Sequence, residues 1–276
     1  MNRINRTGRA LATLHYYLVW PWNHKLRLDM ACALTMSYAD ASRLLKHSWI
    51  LTDQAAFQIL CQASSACDTN ELIESVTVHH QERLLPLREQ RKGALLLGMH
   101  MGNSLLAAAH LSRAGVAVRA VIREPHRLPV GHLETSLARI GLRPICMDRA
   151  DPSKVAIEML RALRRGEWVF VLMDQGTREG GLTVEFIDKR VNMPTGITRI
   201  AQKVGVDVFP INTLNDTPNM VYEIGEPIQM TDDRSLNVHL VSDHMQRQIR
   251  QFPHLWGWHH RRWKRYDLID RRTEPV

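Results

Sequence analysis

The residues able to do chemistry in this chain fall in three short stretches, each opening where an apolar run closes. The first is Gly98-Met99-His100-Met101-Gly102-Asn103, at the end of the run GALLLGM over residues 93–99. A histidine on the turn between a buried strand and a helix sits near the positive end of the helix dipole. That position favours the neutral imidazole needed to take up a proton. Gly102 lets backbone or substrate come close, and Asn103 is equally suited to capping the next helix. The same spacing also fits a histidine that merely hydrogen-bonds within a turn. The second stretch is Arg123-Glu124-Pro125, after VAVRAVI at 116–122. An arginine at a strand end can clamp a phosphate through its planar fork of donors, or simply pair at the surface with Glu124 or Glu134. Arg139, one helix later, has the same two readings. The third stretch is 174–181, DQGTREGG, directly after WVFVLM. Asp174 there can orient a histidine, bind a cation or cap local backbone, with Gln175 beside it. No helix carrying Lys-Ser/Thr follows, which excludes a GxxxxGK phosphate loop.

These stretches need a scaffold, and from Lys92 onward the sequence alternates strand and helix patterns. Strands are expected at 93–99, 116–122, 144–147, 168–173, 184–187, 206–214 and 220–224. Helices are expected at 103–114, 131–140, 152–165, 195–204 and 236–252. The helix at 152–165 has Asp151 as N-cap, Pro152 in the first turn and Gly166 just past its end. Strand–helix–strand order with short links predicts an α/β fold: a largely parallel, mixed sheet flanked by helices. Catalytic groups of such sheets gather beyond the carboxyl ends of the strands, where His100, Arg123 and Asp174 all fall. Residues 1–90 are strand-poor and predict a helical N-terminal region of several short helices, with polar breaks near Asn23, Asp53 and 68–70. The chain of 276 residues has no linker-like segment, so one domain over 1–276 is expected, its α/β core at 91–265.

An excess of 36 basic over 28 acidic residues favours an anionic partner: nucleic acid, anionic lipid or an acidic carrier protein. No nucleic-acid motif accompanies it, so a nucleic-acid partner is not expected. The four cysteines form no CxxC pair and no zinc spacing, which fits a reducing cytoplasm and no metal site. Residues 10–22, ALATLHYYLVWPW, are too short to span a bilayer, which takes about 20. With Arg3, Arg6 and Arg9 before them, they fit a helix in the headgroup layer, or equally an ordinary helix packed on the domain. The stretch WGWHHRRWKR at 256–265 interleaves tryptophans with cations. That mixture suits a membrane interface or single-stranded nucleic acid, unless the tryptophans are core and only the cations meet solvent.

Taken in order, the blocks resemble the lipid A biosynthesis acyltransferases, the lauroyl and myristoyl transferases of the lysophospholipid acyltransferase superfamily. The likeness runs from about Glu82 to Arg265: KGALLLGMHMGN, VIREP, LRRGEWVFVLMDQGTREGGLTVEF, MPTGITRIAQKVGVDVFPI and FPHLWGWHHRRWK. The resemblance implies a glycerol-3-phosphate acyltransferase-like sheet and transfer of an acyl chain from an acyl-carrier-protein or coenzyme A thioester. The acceptor would be a hydroxyl, or an amine, of a lipid, glycolipid or secondary metabolite. It implies His100 as base and no cofactor beyond the acyl donor. Gly102 and Asn103 would shape the turn, Arg123 and Arg139 would hold phosphate or headgroup, and Gln175 would line the site. It further implies peripheral attachment to an anionic surface, the cytoplasmic face of the inner membrane.

One departure matters. The family pattern places an acid five positions after the histidine, and here that residue is Leu105. Three readings follow: another carboxylate, Asp174 or Glu185, serves the histidine; the acceptor is an amine that needs less of a base; or the chain is a degenerate member that binds lipid or carrier without fast turnover.

Overall fold

The computed structural model describes residues 3–64, 68–123, 131–147, 152–177, 180–215, 219–259, 263 and 266–269. Helices α1 (Arg3–Val19), α2 (His24–Ala33), α3 (Tyr38–Gln62) and α4 (Thr69–Glu74) come first, then strand β1 (Thr77–His79) and helix α5 (Leu85–Glu89). Alternation follows: β2 (Ala94–Gly98), α6 (Leu105–Ser112), β3 (Val118–Ile122), α7 (His132–Arg139), β4 (Arg143–Cys146), α8 (Pro152–Arg164) and β5 (Trp168–Leu172). A hairpin, β6 (Gly181–Phe186) and β7 (Lys189–Pro194), precedes α9 (Gly196–Val204), β8 (Val208–Asn215), β9 (Val221–Ile224) and α10 (Arg234–Gln251).

The main sheet has seven strands in the order β1-β9-β8-β2-β5-β3-β4. The strands from β8 to β4 run parallel, while β9 is antiparallel to β8 and β1 parallel to β9. The mixed, largely parallel α/β sheet read from the alternation is the one formed. Because successive side chains point to opposite faces, β2 feeds two cores. Leu95 and Leu97 join the α2, α3, α8 and α10 side, while Ala94 and Leu96 join the α6 and α7 side. A strand buried on both faces must be apolar throughout, and β2 is.

The region before Lys92 is helical and strand-poor as expected, its one named strand, β1, having three residues at the sheet edge. Two details differ for physical reasons. The helices of that region are not all short: α3 has 25 residues and runs straight through Asp53. That polar residue is no break, because it accepts a hydrogen bond from Trp49 Nε1 one turn back, at 3.0 Å. Strand β7 also escapes sequence reading, since its turn is Ile187-Asp188, both left-handed at φ +50° and +56° rather than Asn-Gly. Tertiary contacts hold that unfavourable turn: Gln246 Oε1 accepts from Ile187 N at 2.9 Å, and Ile269 N donates to Asp188 O at 2.9 Å.

The tryptophan-rich tail is interior. Trp256, Trp258 and Trp263 are buried and meet edge to face with centroids 4.8–6.0 Å apart. The membrane-interface reading of these indoles is therefore overturned; Arg261, Arg262, Lys264 and Arg265 lie outside the described residues. A buried ammonium anchors the tail: Lys189 Nζ donates to Asp29 Oδ2 and to Tyr266 O, each at 2.6 Å, and sits 3.9 Å over the Trp263 ring. Burial pulls the Lys189 pKa down, against the raising effect of Asp29. Gly166, at φ +79°, ends α8 as expected; the N-cap assigned to Asp151 lies outside the described residues. Cys32 and Cys61 are free thiols.

Candidate active site

The register of two neighbouring strands brings the central pair together. In β2 and β5, Leu96 lies beside Phe170 and Gly98 beside Leu172. Two residues further, past both strand ends, the same register sets His100 beside Asp174. Gly98 is required here: a Cβ at that position would stand 2.5 Å from the Phe170 ring. Gly102, at φ +56°, then turns the chain left-handed toward α6.

Asp174 is fully buried in its side chain, while His100 is 28% exposed. His100 Nδ1 stands 2.7 Å from Asp174 Oδ1. A carboxylate has no proton to give, so Nδ1–H donates and Nε2 is the nitrogen left to accept one. The other oxygen, Oδ2, accepts from the His100 backbone N–H at 3.0 Å and from Trp256 Nε1–H at 2.7 Å. Three donors therefore fix the carboxylate, and of the three readings of Asp174 two hold together: it orients the histidine and caps its backbone. The Gln175 amide nitrogen is 3.2 Å from Nε2 and 3.4 Å from Nδ1 of the same ring. Near-equal distances put that amide over the ring face rather than in the plane of the Nε2 lone pair.

The loop is fastened from four directions. Gly257 N donates to His100 O at 3.0 Å, Thr213 Oγ1 to Met101 O at 3.0 Å, and Tyr222 OH to Asn103 O at 2.8 Å. Asn103 Nδ2 reaches Gln58 of α3 at 3.3 Å. Asn103 is thus a buried strut and not the cap of α6. Ser104 holds the N-cap position, its hydroxyl donating to Met99 O at 3.0 Å. Leu105 opens α6, buried in the apolar cluster on that side.

Of the residues expected at the site, His100, Gly102, Asn103, Asp174 and Gln175 converge. Arg123 follows β3 on the same sheet edge, exposed to solvent. Arg139 does not join them. It ends α7 just before β4 begins, at the opposite edge, where its carbonyl accepts from Thr69 Oγ1 at 3.3 Å. Glu185 is exposed on the outer side of the hairpin, opposite Arg190 in register. The inner side carries Phe186, whose ring meets Trp256 edge to face at 6.0 Å. The carboxylate that meets the His100 ring, Asp174, follows the neighbouring strand β5. Sequence reasoning missed Trp256 as a site residue; its one signal was the closing tryptophan block of the resemblance. Residues 124–130, 148–151 and 178–179 lie outside the described residues.

A parallel α/β sheet with a histidine–aspartate pair at the tips of adjacent central strands defines an α/β protein equipped for general base chemistry. A sequence profile described as bacterial lipid A biosynthesis acyltransferase matches residues 29–265, and the chain belongs to that acyltransferase family. No curated protein matches the chain. Among the described residues, no helix is long and apolar enough to cross a membrane, and no cluster of three or more His, Cys, Asp or Glu is arranged to hold a metal ion.

Proposed function

We propose that the chain transfers a fatty acyl group from an acyl-carrier-protein or coenzyme A thioester to a hydroxyl or amine of a lipid, glycolipid or secondary metabolite. The observation that carries this reading is the 2.7 Å contact between His100 Nδ1 and Asp174 Oδ1 on a partly exposed ring. Nε2 takes the proton of the acceptor as its oxygen or nitrogen bonds to the thioester carbonyl carbon. The tetrahedral adduct collapses, the carbon–sulfur bond breaks, and the leaving thiolate recovers the proton from the imidazolium. Asp174 stabilises that imidazolium between the two transfers. Arg123 is assigned to a phosphate of donor or acceptor, and Gln175 to the wall over the ring. These steps use only groups of the chain and its two substrates. The reading puts the enzyme at the cytoplasmic face of the inner membrane, where both thioester and lipid are at hand.

Leu105, in the place of the family's acid, favours a second reading: a degenerate member that binds lipid or acyl carrier without turnover. Thiol release from acyl-carrier-protein and acyl-CoA thioesters, with extracted lipids as acceptors, separates the two. Wild type is expected to release thiol at least 1,000-fold faster than His100→Ala, on the scale of losing a nucleophile-activating base. Equal rates assign the chain to the second reading.

A further inference from the structure

We propose that Gln175 is a second catalytic residue, its side-chain amide donating a hydrogen bond to the oxyanion that forms on the thioester carbonyl. This role rests on the acyl transfer proposed above and supplies what His100 and Asp174 leave out.

Attack on a thioester pushes the carbonyl π pair onto oxygen, so negative charge develops beside the carbon under attack. His100 and Asp174 handle only the proton and do not meet that charge. A donor has to lie near the attack position without blocking it. Three donors around the ring are already committed. The His100 backbone N–H and the Trp256 indole both serve Asp174 Oδ2, at 3.0 and 2.7 Å, and Met101 N donates to Met99 O at 2.8 Å. Gln175 is not committed. Among the described residues its amide nitrogen approaches only the His100 ring, 3.2 Å from Nε2 and 3.4 Å from Nδ1, and donates to no oxygen.

Because that amide lies over the ring face, the Nε2 lone pair stays open to the acceptor. An acceptor atom held in the ring plane at about 2.8 Å from Nε2 stands roughly 4–5 Å from the amide nitrogen. The carbonyl carbon bonds within that gap. Its oxygen, two bonds from the acceptor atom, then comes within hydrogen-bond reach of the amide, where an oxyanion donor belongs.

The residue is held for this task from both sides. Before it, Asp174 is fixed by its three donors. After it, Gly176 lies so close to β7 and the tail that a Cβ would stand 2.6 Å from Val191 Cγ1 and 3.1 Å from the Tyr266 hydroxyl. Thr177 N donates to Asn192 O at 2.6 Å, and Tyr266 OH donates to Thr177 O at 3.1 Å. A donor whose backbone is fixed in advance needs little reorganisation as charge develops. In the step itself the acceptor's proton passes to Nε2, its lone pair bonds the carbonyl carbon, and the displaced pair rests on oxygen beside the Gln175 N–H. When that pair returns, the carbon–sulfur bond breaks and the thiolate takes the proton from the imidazolium. Gln175 keeps its own protons throughout.

The test compares wild type with Gln175→Leu, which keeps the bulk and removes the donor. Thiol release is measured together with binding of two unreactive donor analogues on whichever carrier wild type uses. One is a thioether lacking the carbonyl; the other is a fluoroketone, which adds water or acceptor and so presents a tetrahedral oxygen. Gln175→Leu is expected to lower kcat about 100- to 1,000-fold with little change in KM, the scale of losing one oxyanion donor. Fluoroketone affinity should fall about as far while thioether affinity holds. Gln175→Glu, of the same shape, should lose at least as much, since it sets a negative charge where one develops. Nitrogen-15 spectra of Gln175→Leu should still find the ring proton on Nδ1, and its unfolding midpoint should not move. Turnover that His100→Ala abolishes and Gln175→Leu leaves unchanged overturns the role of Gln175 while the base stands. Equal losses on thioether and fluoroketone, or a ring proton moved to Nε2, reduce Gln175 to a positioning residue and overturn it too. Absence of wild-type turnover, or turnover indifferent to His100→Ala, removes the acyl-transfer reading and this proposal together.

Discussion

Replacing Asp174 with asparagine tests the dyad at its centre, because the surrounding donors dictate how the new amide must sit. In the native protein Oδ2 accepts from the His100 backbone N–H and from Trp256 Nε1–H, at 3.0 and 2.7 Å. Neither donor can turn away, since one is backbone and the other belongs to a buried indole. The asparagine therefore keeps its oxygen there and presents its NH2 to His100 Nδ1. Nδ1 must then accept, which moves the ring proton to Nε2, the nitrogen that should take the acceptor's proton. The shape of the site is kept and its tautomer inverted. In the serine-protease triad the same substitution lowers kcat about 10⁴-fold, and a loss of about 10³ to 10⁴ is expected here. Thiol release under saturating thioester measures it, and nitrogen-15 spectra of labelled histidine report the tautomer directly. A variant that keeps more than a tenth of wild-type turnover, with the proton shown on Nε2, refutes the reasoning and removes His100 as the base.

Trp256→Phe removes one donor to the buried carboxylate, a hydrogen bond of about 1.5–3 kcal/mol. The expected result is a roughly tenfold fall in kcat with little change in KM, and no further fall when combined with Asp174→Asn; additive losses in the double variant would exclude action through Asp174. Lys189→Met strands the Asp29 carboxylate that the ammonium now holds, and should cost about 3–5 kcal/mol in urea unfolding, with Asp29→Asn in the same chain recovering most of it. Burial lowers the His244 pKa from 6.5 to about 4, helped by Arg247, while its ring bonds Asn212 Oδ1 at 2.9 Å. The unfolded chain binds this proton first, so the contribution is complete above pH 6.5 and lost as pH falls toward 4. It amounts to about 3 kcal/mol at most, with His47 and His254 shifted in the same direction. His244→Gln should flatten the acid limb of stability against pH, and an unchanged limb would place that titration elsewhere.

The sheet was legible because its inner strands are buried on both faces and therefore read as unbroken apolar runs, GALLLGM and WVFVLM. Asp174 was legible for the same reason, as a polar residue hard against the end of such a run. What sequence could not supply was register. Nothing in the residue order says that β2 and β5 are neighbours, so Asp174 and Glu185 stood as equal partners for His100 until the pairing of Gly98 with Leu172 separated them. Arg139 was misjudged through strand direction: a helix end that precedes a parallel strand lies at the wrong edge. Trp256 was hidden by distance along the chain, because an indole near cations reads as an interface until its tertiary partner is known.

The hydrogen bond from Trp256 to Asp174, together with that from Ser48 to the Trp256 carbonyl, has a bearing on the order of events during synthesis. Residues separated by 208 positions must meet before the aspartate is fully held. At about 5–20 residues per second, the ribosome completes the whole sheet several seconds before the indole emerges. A nascent chain thus carries its histidine and its aspartate before the third donor to that carboxylate, and the indoles that complete the core, have arrived.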